Sequence, residues 1–151
     1  MGWLERNGWW VLVALAAVSF IFGLGDLVGG APDNALAVTG QTNDQLARDS
    51  SLAYLLVQDQ VRAGGLGLML IGLLLGAIVL FGFRNGQRWA WWATWAFPAF
   101  AASAAVLHLV DVAPGQAPPV PVYSGSIVTV IVVAVLLVNA RRFLRADDRR
   151  V

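Results

Sequence analysis

The sequence has no cysteine and no lysine, and it contains a single histidine, His108. Without cysteine, disulfides, thiolate metal sites and cysteine nucleophiles are excluded. Charge is also scarce, because charged residues make up 13% of the chain while hydrophobic residues make up 58%, and the mean hydropathy is +0.69. A soluble domain of 151 residues has no place for so much apolar surface. The composition therefore predicts an integral membrane protein.

Four hydrophobic runs are long enough to cross a bilayer. About 20 helical residues span roughly 30 Å of hydrocarbon, and this length is reached by residues 9–28, 63–83, 89–110 and 122–144. The first run is too long for a signal-peptide core, so we expect it to be retained although Ala35-Leu36-Ala37 resembles a cleavage site. We therefore expect one all-α domain, residues 1–151, built as a four-transmembrane-helix bundle.

The segment 29–62 between the first two runs is predicted to lie outside the bilayer. Residues 29–40 are rich in Gly, Pro, Asp and Asn and indicate a loop. Thr42 and Gln45 then have the spacing of a capping box, which opens an amphipathic helix. Its apolar face contains Leu46, Ala53 and Val57. We expect this helix to lie on the outer surface, or to lead into the second span with a bend near Gly64-Gly65.

The arginines predict the orientation in the membrane. With the N-terminus in the cytoplasm, only Arg48 and Arg62 lie outside, and the inner side carries Arg6, Arg84, Arg88, Arg141, Arg142, Arg145, Arg149 and Arg150. This bias follows the positive-inside rule, and all seven tryptophans fall on the same inner side. We therefore expect a multi-pass protein of the cell's inner (plasma) membrane with both termini in the cytoplasm. For the basic tail, residues 145–151, a stop-transfer signal is favoured over binding to anionic lipid.

Small residues predict which helix faces meet. Helices in lipid associate through close packing of small side chains, because lipid is as apolar as the helices themselves. Such residues recur at spacings of three and four on the first three runs, which places them on one face of each helix. The predicted contact residues are Ser19, Gly23, Gly65, Gly72, Gly76, Ala101 and Ala105. Pro98 predicts a modest kink in the third run. The fourth run has no comparable stripe and is expected to expose much of its surface to lipid.

Ionisable side chains follow the small residues at the outer end of these three runs. A charged group that faces hydrocarbon costs at least a few kcal/mol, so we expect these side chains to turn inward and meet. The group contains Asp26, Asp59, Arg62, His108 and Asp111, with Tyr123 at its rim. Two hypotheses stay open: a network of ion pairs that fastens the helix ends, or a site for a ligand, a proton or a cation. No metal is predicted, because one histidine with scattered carboxylates makes a poor zinc site.

The sequence contains no complete catalytic constellation. Gly64-Gly65-Leu66-Gly67 lacks the lysine and the preceding strand of a phosphate-binding loop. Ser124-Gly125-Ser126 lacks the context of a nucleophile elbow. The arginines follow topology and do not form a folded basic face, so nucleic acid is not an expected partner. No cofactor is specified by these residues.

The stretch Arg84 to Pro98, R-N-G-Q-R-W-A-W-W-A-T-W-A-F-P, resembles the second hairpin of small four-helix bacterial membrane proteins described as DoxX-like. Such proteins place an R-x-G-x-R-W-A-W turn between the second and third spans and have basic C-terminal tails. The resemblance implies an accessory subunit of a membrane complex, and it carries over no catalytic residue. An all-arginine basic set with abundant Ala, Gly and Val also suggests a GC-rich bacterial genome.

The sequence thus predicts a non-enzymatic membrane subunit that packs against itself or against a membrane partner. The alternative is a small transporter, or an outer-leaflet binding protein for a lipid, a quinone or a cation. That alternative uses Asp26, Arg62, His108 and Asp111.

Overall fold

The computed structural model describes residues 2–30 and 39–144, and in this part of the chain it is all-helical, with 85% helix and no strand. The helices are α1 (Trp3–Gly29), α2 (Asn43–Asp49), α3 (Ser51–Ile78), α4 (Arg88–Thr94), α5 (Ala96–Val110) and α6 (Val120–Leu144), and a π-helical turn, Val79–Phe83, continues α3. Four helical segments are long and apolar enough to cross a membrane: Trp3–Gly29, Ser51–Phe83, Arg88–Val110 and Val122–Leu144. The predicted all-α class and its four candidate spans are confirmed. The predicted tail 145–151 and most of the loop 29–40 lie outside the described residues.

The second candidate span is longer than the hydrophobic run that predicted it. It begins at Ser51 instead of residue 63 and runs for 33 residues to Phe83. At 1.5 Å per residue this helix is about 50 Å long, which exceeds a hydrocarbon core of about 30 Å. Its first turns, which carry Asp59 and Arg62, are therefore able to stand beyond the hydrocarbon.

The break between α2 and α3 lies at Ser50, not near Gly64-Gly65. Ser50 has extended backbone angles (φ −155°, ψ 100°), and its Oγ accepts a hydrogen bond from the backbone N–H of Ala53 at 3.3 Å. Serine in this position caps the next helix, so α3 starts there and runs through both glycines. The capping box of α2 is present: Gln45 N–H donates to Thr42 Oγ1 at 3.3 Å, and Thr42 N–H donates to Gln45 Oε1 at 2.9 Å.

The third span is interrupted at Trp95, between α4 and α5. Pro98 has no N–H to donate to the carbonyl four residues earlier, that of Thr94, and its ring clashes with that carbonyl. The chain relieves this clash with a tighter turn, in which Trp95 N–H bonds to the carbonyl of Trp92 at 3.1 Å. The irregularity predicted at Pro98 is therefore found one turn before it.

The helices are joined most extensively at the end of the bundle that holds Trp3, the turn 84–87 and Leu144, here called the arginine end. A single apolar core there joins α1, α3, α4 and α6. Its buried residues are Leu12, Ala16, Leu75, Val79, Phe83, Ala90, Trp91, Val132, Val135, Leu136 and Phe143. The opposite end, with Gly30, Ser51 and Val110, is called the loop end. There the packing is chiefly within two antiparallel pairs, α1 with α3 and α5 with α6.

Candidate functional site

Glycines let α1 and α3 touch backbone to backbone at the loop end. A Cβ added to Gly23 would lie 2.5 Å from the carbonyl oxygen of Gly65, and one added to Gly65 would lie 2.7 Å from that of Gly23. Further along, a Cβ on Gly72 would lie 2.7 Å from the carbonyl oxygen of Ala16. Gly76 is looser, because its added Cβ would make only an ordinary 3.8 Å contact with the Cβ of Ala16. Among the residues predicted for packing, Gly23, Gly65 and Gly72 thus lie where the two helices are closest.

The α5/α6 pair is built in the same way around Gly125. A Cβ on Gly125 would lie 2.9 Å from the carbonyl oxygen of Ala101 and 3.3 Å from the Cβ of Ala105. Thr129 Oγ1 donates to the carbonyl of Gly125 at 2.8 Å and lies 3.4 Å from the carbonyl of Pro98. The fourth span therefore does contribute small residues to packing, although its sequence shows no repeated stripe of them.

Between the two pairs, one face of α1 and one face of α5 are covered by the apolar core at the arginine end. Toward the loop end, the same two faces are exposed. On α1, Leu15 packs against the core, whereas Phe22, seven residues later on the same face, is 65% exposed. On α5, Phe97 packs against the core, whereas His108, on the same stripe at spacings of three and four, is exposed. We call this space the gap. Helical periodicity, counted from these core residues and from Leu75 on α3, assigns to its walls Ser19, Phe22, Gly64, Ala101, Ala104 and His108.

The predicted polar residues divide between the gap and the outside. Asp111 continues the gap-facing stripe of α5. Asp26 continues that of α1 at the edge of the contact with α3, since a Cβ added to Gly65 would lie 2.8 Å from the Cβ of Asp26. Asp59 shares a stripe with Leu66 and Leu73, whose side chains are 49% and 57% exposed, so it lies on an outward face of α3. Arg62 is exposed and lies on the same stripe as Met69, which meets Gly23 of α1, so Arg62 borders the α1/α3 contact. The structure thus separates Asp59 and Arg62 from His108 and Asp111.

No ion pair links these five residues within the described chain. His108 instead bonds locally, with its Nδ1 2.7 Å from the carbonyl oxygen of Ala104 in its own helix. The described residues contain no group of three or more His, Asp or Glu side chains placed to hold a metal ion. Tyr123 is 56% exposed and shares a stripe with Val130 and Leu137, which are 68% and 60% exposed, so it faces away from the bundle.

A polar contact at the arginine end was missed from the sequence. Asn139 is 1% exposed, and its Nδ2 donates to the carbonyl of Val135 at 2.9 Å and to that of Leu4 at 3.3 Å. Gly8 makes room for it, because a Cβ there would lie 2.9 Å from that nitrogen. The available signal was an amide within an otherwise apolar run, since polar side chains in membrane helices commonly bond across helices.

Over residues 2–30 and 39–144, these observations define a class: an all-helical structure with four candidate membrane spans, whose helix pairs are joined at the arginine end and separate at the loop end. No protein-family model, curated protein or solved structure matches the chain.

Proposed function

We propose that the protein is a non-enzymatic membrane subunit whose gap receives a transmembrane helix. The observation that supports this proposal is the pair of helix faces that leave the core at Leu15 and Phe97 and continue unpartnered to the loop end. The resemblance of residues 84–98 to DoxX-like proteins is consistent with an accessory role.

The chemistry of the gap suits a helix better than a bulky soluble partner. Ser19, Gly64, Ala101 and Ala104 are small, and small residues allow helix backbones to approach closely in lipid. A Cβ added to Gly64 would meet nothing within 4 Å, so this position is open to an incoming helix. His108 and Asp111 at the mouth of the gap offer hydrogen-bonding groups, which gain more from a polar partner than from lipid.

The proposed orientation places the arginine end in the cytoplasm of a bacterial cell. Among the described residues, this end carries Arg6, Arg84, Arg88, Arg141 and Arg142. The loop end carries Arg48 and Arg62 against Asp26, Asp44, Asp49, Asp59 and Asp111. Such an asymmetry favours retention of the basic end on the inner side. The gap then opens to the outer leaflet.

The absence of cysteine from the sequence makes a clean crosslinking test available. Phe22→Cys places one thiol in the gap, and Ile21→Cys is a matched control, because both side chains are 65% exposed but point to different faces of α1. In native membranes, a short thiol-to-amine crosslinker is expected to give a discrete larger species from Phe22→Cys only. Adducts of equal yield at both positions, or no adduct at Phe22→Cys with either this reagent or a bis-maleimide, would contradict the proposal.

The mass of the adduct identifies the source of the helix. A second copy of this chain gives twice the monomer mass, and the adduct persists in the purified protein. A different subunit gives another mass, and its peptides appear in mass spectrometry of the band. The sequence has no lysine and α1 begins at the arginine end, so a homodimer offers the thiol-to-amine reagent no amine in the gap. A bis-maleimide, which joins the Phe22→Cys thiols of two copies, is therefore the second reagent.

The second candidate function is outer-leaflet binding or transport of a lipid, a quinone or a cation. It is favoured by the position of His108 and Asp111 on the gap-facing stripe of α5, with Asp26 on that of α1. Arg62 is not part of this version, since it lies on another face. Lipid extracts of purified wild type and His108→Ala, compared by mass spectrometry, test it. A co-purifying molecule that is lost only in the variant supports this candidate, and identical extracts contradict it.

A further inference from the structure

Arg142, near the end of α6, reaches across to the turn between the second and third spans. Its Nη2 donates to the carbonyl oxygen of Arg84 at 2.9 Å. The guanidinium also lies against Gly86, where an added Cβ would be 3.5 Å from Nη2 and 3.6 Å from Nε. This contact satisfies one of the open carbonyls at the C-terminal end of a helix. It uses one of the five N–H donors of the guanidinium.

A second guanidinium is held at the same turn. The Cζ of Arg84 lies 4.8 Å from the centroid of the Trp9 ring, which places the cation over the face of an indole. The side chain of Arg84 therefore rests on α1, while its carbonyl is bonded to α6. Two arginines from different parts of the chain thus make contacts at one turn, and both residues are exposed.

The described residues supply little negative charge to balance this pair. At the arginine end they contain one carboxylate, that of Glu5, and its Oε2 accepts a hydrogen bond from the backbone N–H of Gly2 at 3.0 Å. Both guanidiniums carry a positive charge beside the same turn, and a negatively charged group there is attracted to each of them. Exposed tryptophans at this end, Trp10, Trp89 and Trp92, are typical of the depth of lipid headgroups.

We propose that Arg84 and Arg142 bind the phosphate of an anionic phospholipid beside the turn 84–87. Guanidinium groups match phosphate oxygens with paired N–H donors, and basic pockets between membrane helices bind anionic headgroups. The site is separate from the gap, because it lies at the opposite end of the bundle.

Native mass spectrometry of the full chain with phosphatidylglycerol and, separately, phosphatidylcholine of the same acyl chains tests the proposal. Wild type is expected to bind the anionic lipid more tightly. Arg84→Gln removes one charge and leaves the Arg142 hydrogen bond to the backbone in place. It is expected to weaken phosphatidylglycerol binding about tenfold or more, because a hydrogen bond to a charged group contributes about 1.5–3 kcal/mol and each 1.4 kcal/mol is a factor of ten.

Arg141→Gln is the matched control, because Arg141 is exposed and makes the same contribution to charge one residue from Arg142. It is expected to weaken binding less than about twofold, since a diffuse surface charge is largely screened. Equal losses in the two variants would overturn the site and leave only general surface charge. Equal affinity of wild type for the two lipids would also overturn it, and that measurement needs no variant to fold.

Discussion

The two ends of the bundle are held together by different kinds of contact. At the arginine end, large side chains such as Phe83, Trp91 and Phe143 fill the space between the helix pairs. At the loop end, glycine and alanine bring two helices together within each pair but are too short to reach across to the other pair. The same small residues therefore explain both the tight pairs and the gap between them. The helix pairs are therefore joined to each other at the arginine end, whereas at the loop end contacts lie chiefly within each pair.

The largest expected effect on stability comes from a substitution in the core of the arginine end. Phe83 is fully buried and packs against Phe143, with ring centroids 4.7 Å apart and the ring planes tilted by 47°. Phe83→Ala is expected to lower the free energy of unfolding by about 3–5 kcal/mol, the usual cost of removing a buried aromatic side chain. Unfolding monitored by tryptophan fluorescence in a fixed detergent measures this change.

Phe81→Ala is the control for that experiment, because Phe81 lies in the same π-helical turn and is 72% exposed. Its expected effect is below about 1 kcal/mol, since little packing is lost. If the two variants are destabilised equally, burial of Phe83 in the core of the arginine end does not determine the stability of the bundle.

Two features of the fold were predictable from the sequence: the number of candidate spans, which depends on hydropathy, and the helix cap, which depends on local side-chain chemistry. Four apolar runs and the Thr42–Gln45 box are properties of short stretches. The pairing of helices depends on side-chain size across a contact, as at Gly8 and Asn139, which are far apart in sequence. The expected meeting of Arg62 with His108 assumed a bundle closed at both ends. The length of α3 and the gap keep these residues apart.

The next effect concerns the α1/α3 pair at the loop end. Gly65→Val would push a side chain into the backbone of Gly23 and Leu27, and it is expected to cost about 1–3 kcal/mol through overpacking. Gly64→Val is the adjacent control, because nothing lies within 4 Å of its added Cβ. A decrease in melting temperature of similar size in both variants would show that the helix propensity of valine, and not the α1/α3 contact, determines the loss of stability.

A smaller effect is expected at the buried amide of the arginine end. Asn139→Ala removes the hydrogen bond from Nδ2 to the carbonyl of Leu4, and such bonds between membrane helices are worth about 0.6 kcal/mol on average. Ser126→Ala is the control, since its Oγ bonds only within its own helix, to the carbonyl of Val122 at 2.8 Å, and the residue is exposed. Denaturant unfolding of both variants separates the two kinds of bond. A larger loss in Ser126→Ala would reverse the ranking.

The smallest effect on the whole bundle is expected from the cap of α2. Thr42→Ala removes the acceptor of the Gln45 N–H and is expected to cost α2 about 1 kcal/mol of local stability, whereas Thr42→Ser keeps the acceptor. Because α2 is a seven-residue helix that packs chiefly on α3 through Leu46, its loss leaves the core at the arginine end intact. Hydrogen exchange is therefore expected to quicken in residues 43–49 and to stay unchanged in residues 79–94. Faster exchange in both regions would mean that the loop end and the arginine end unfold as one unit. The two ends would then differ in how their side chains pack but not in their local stability.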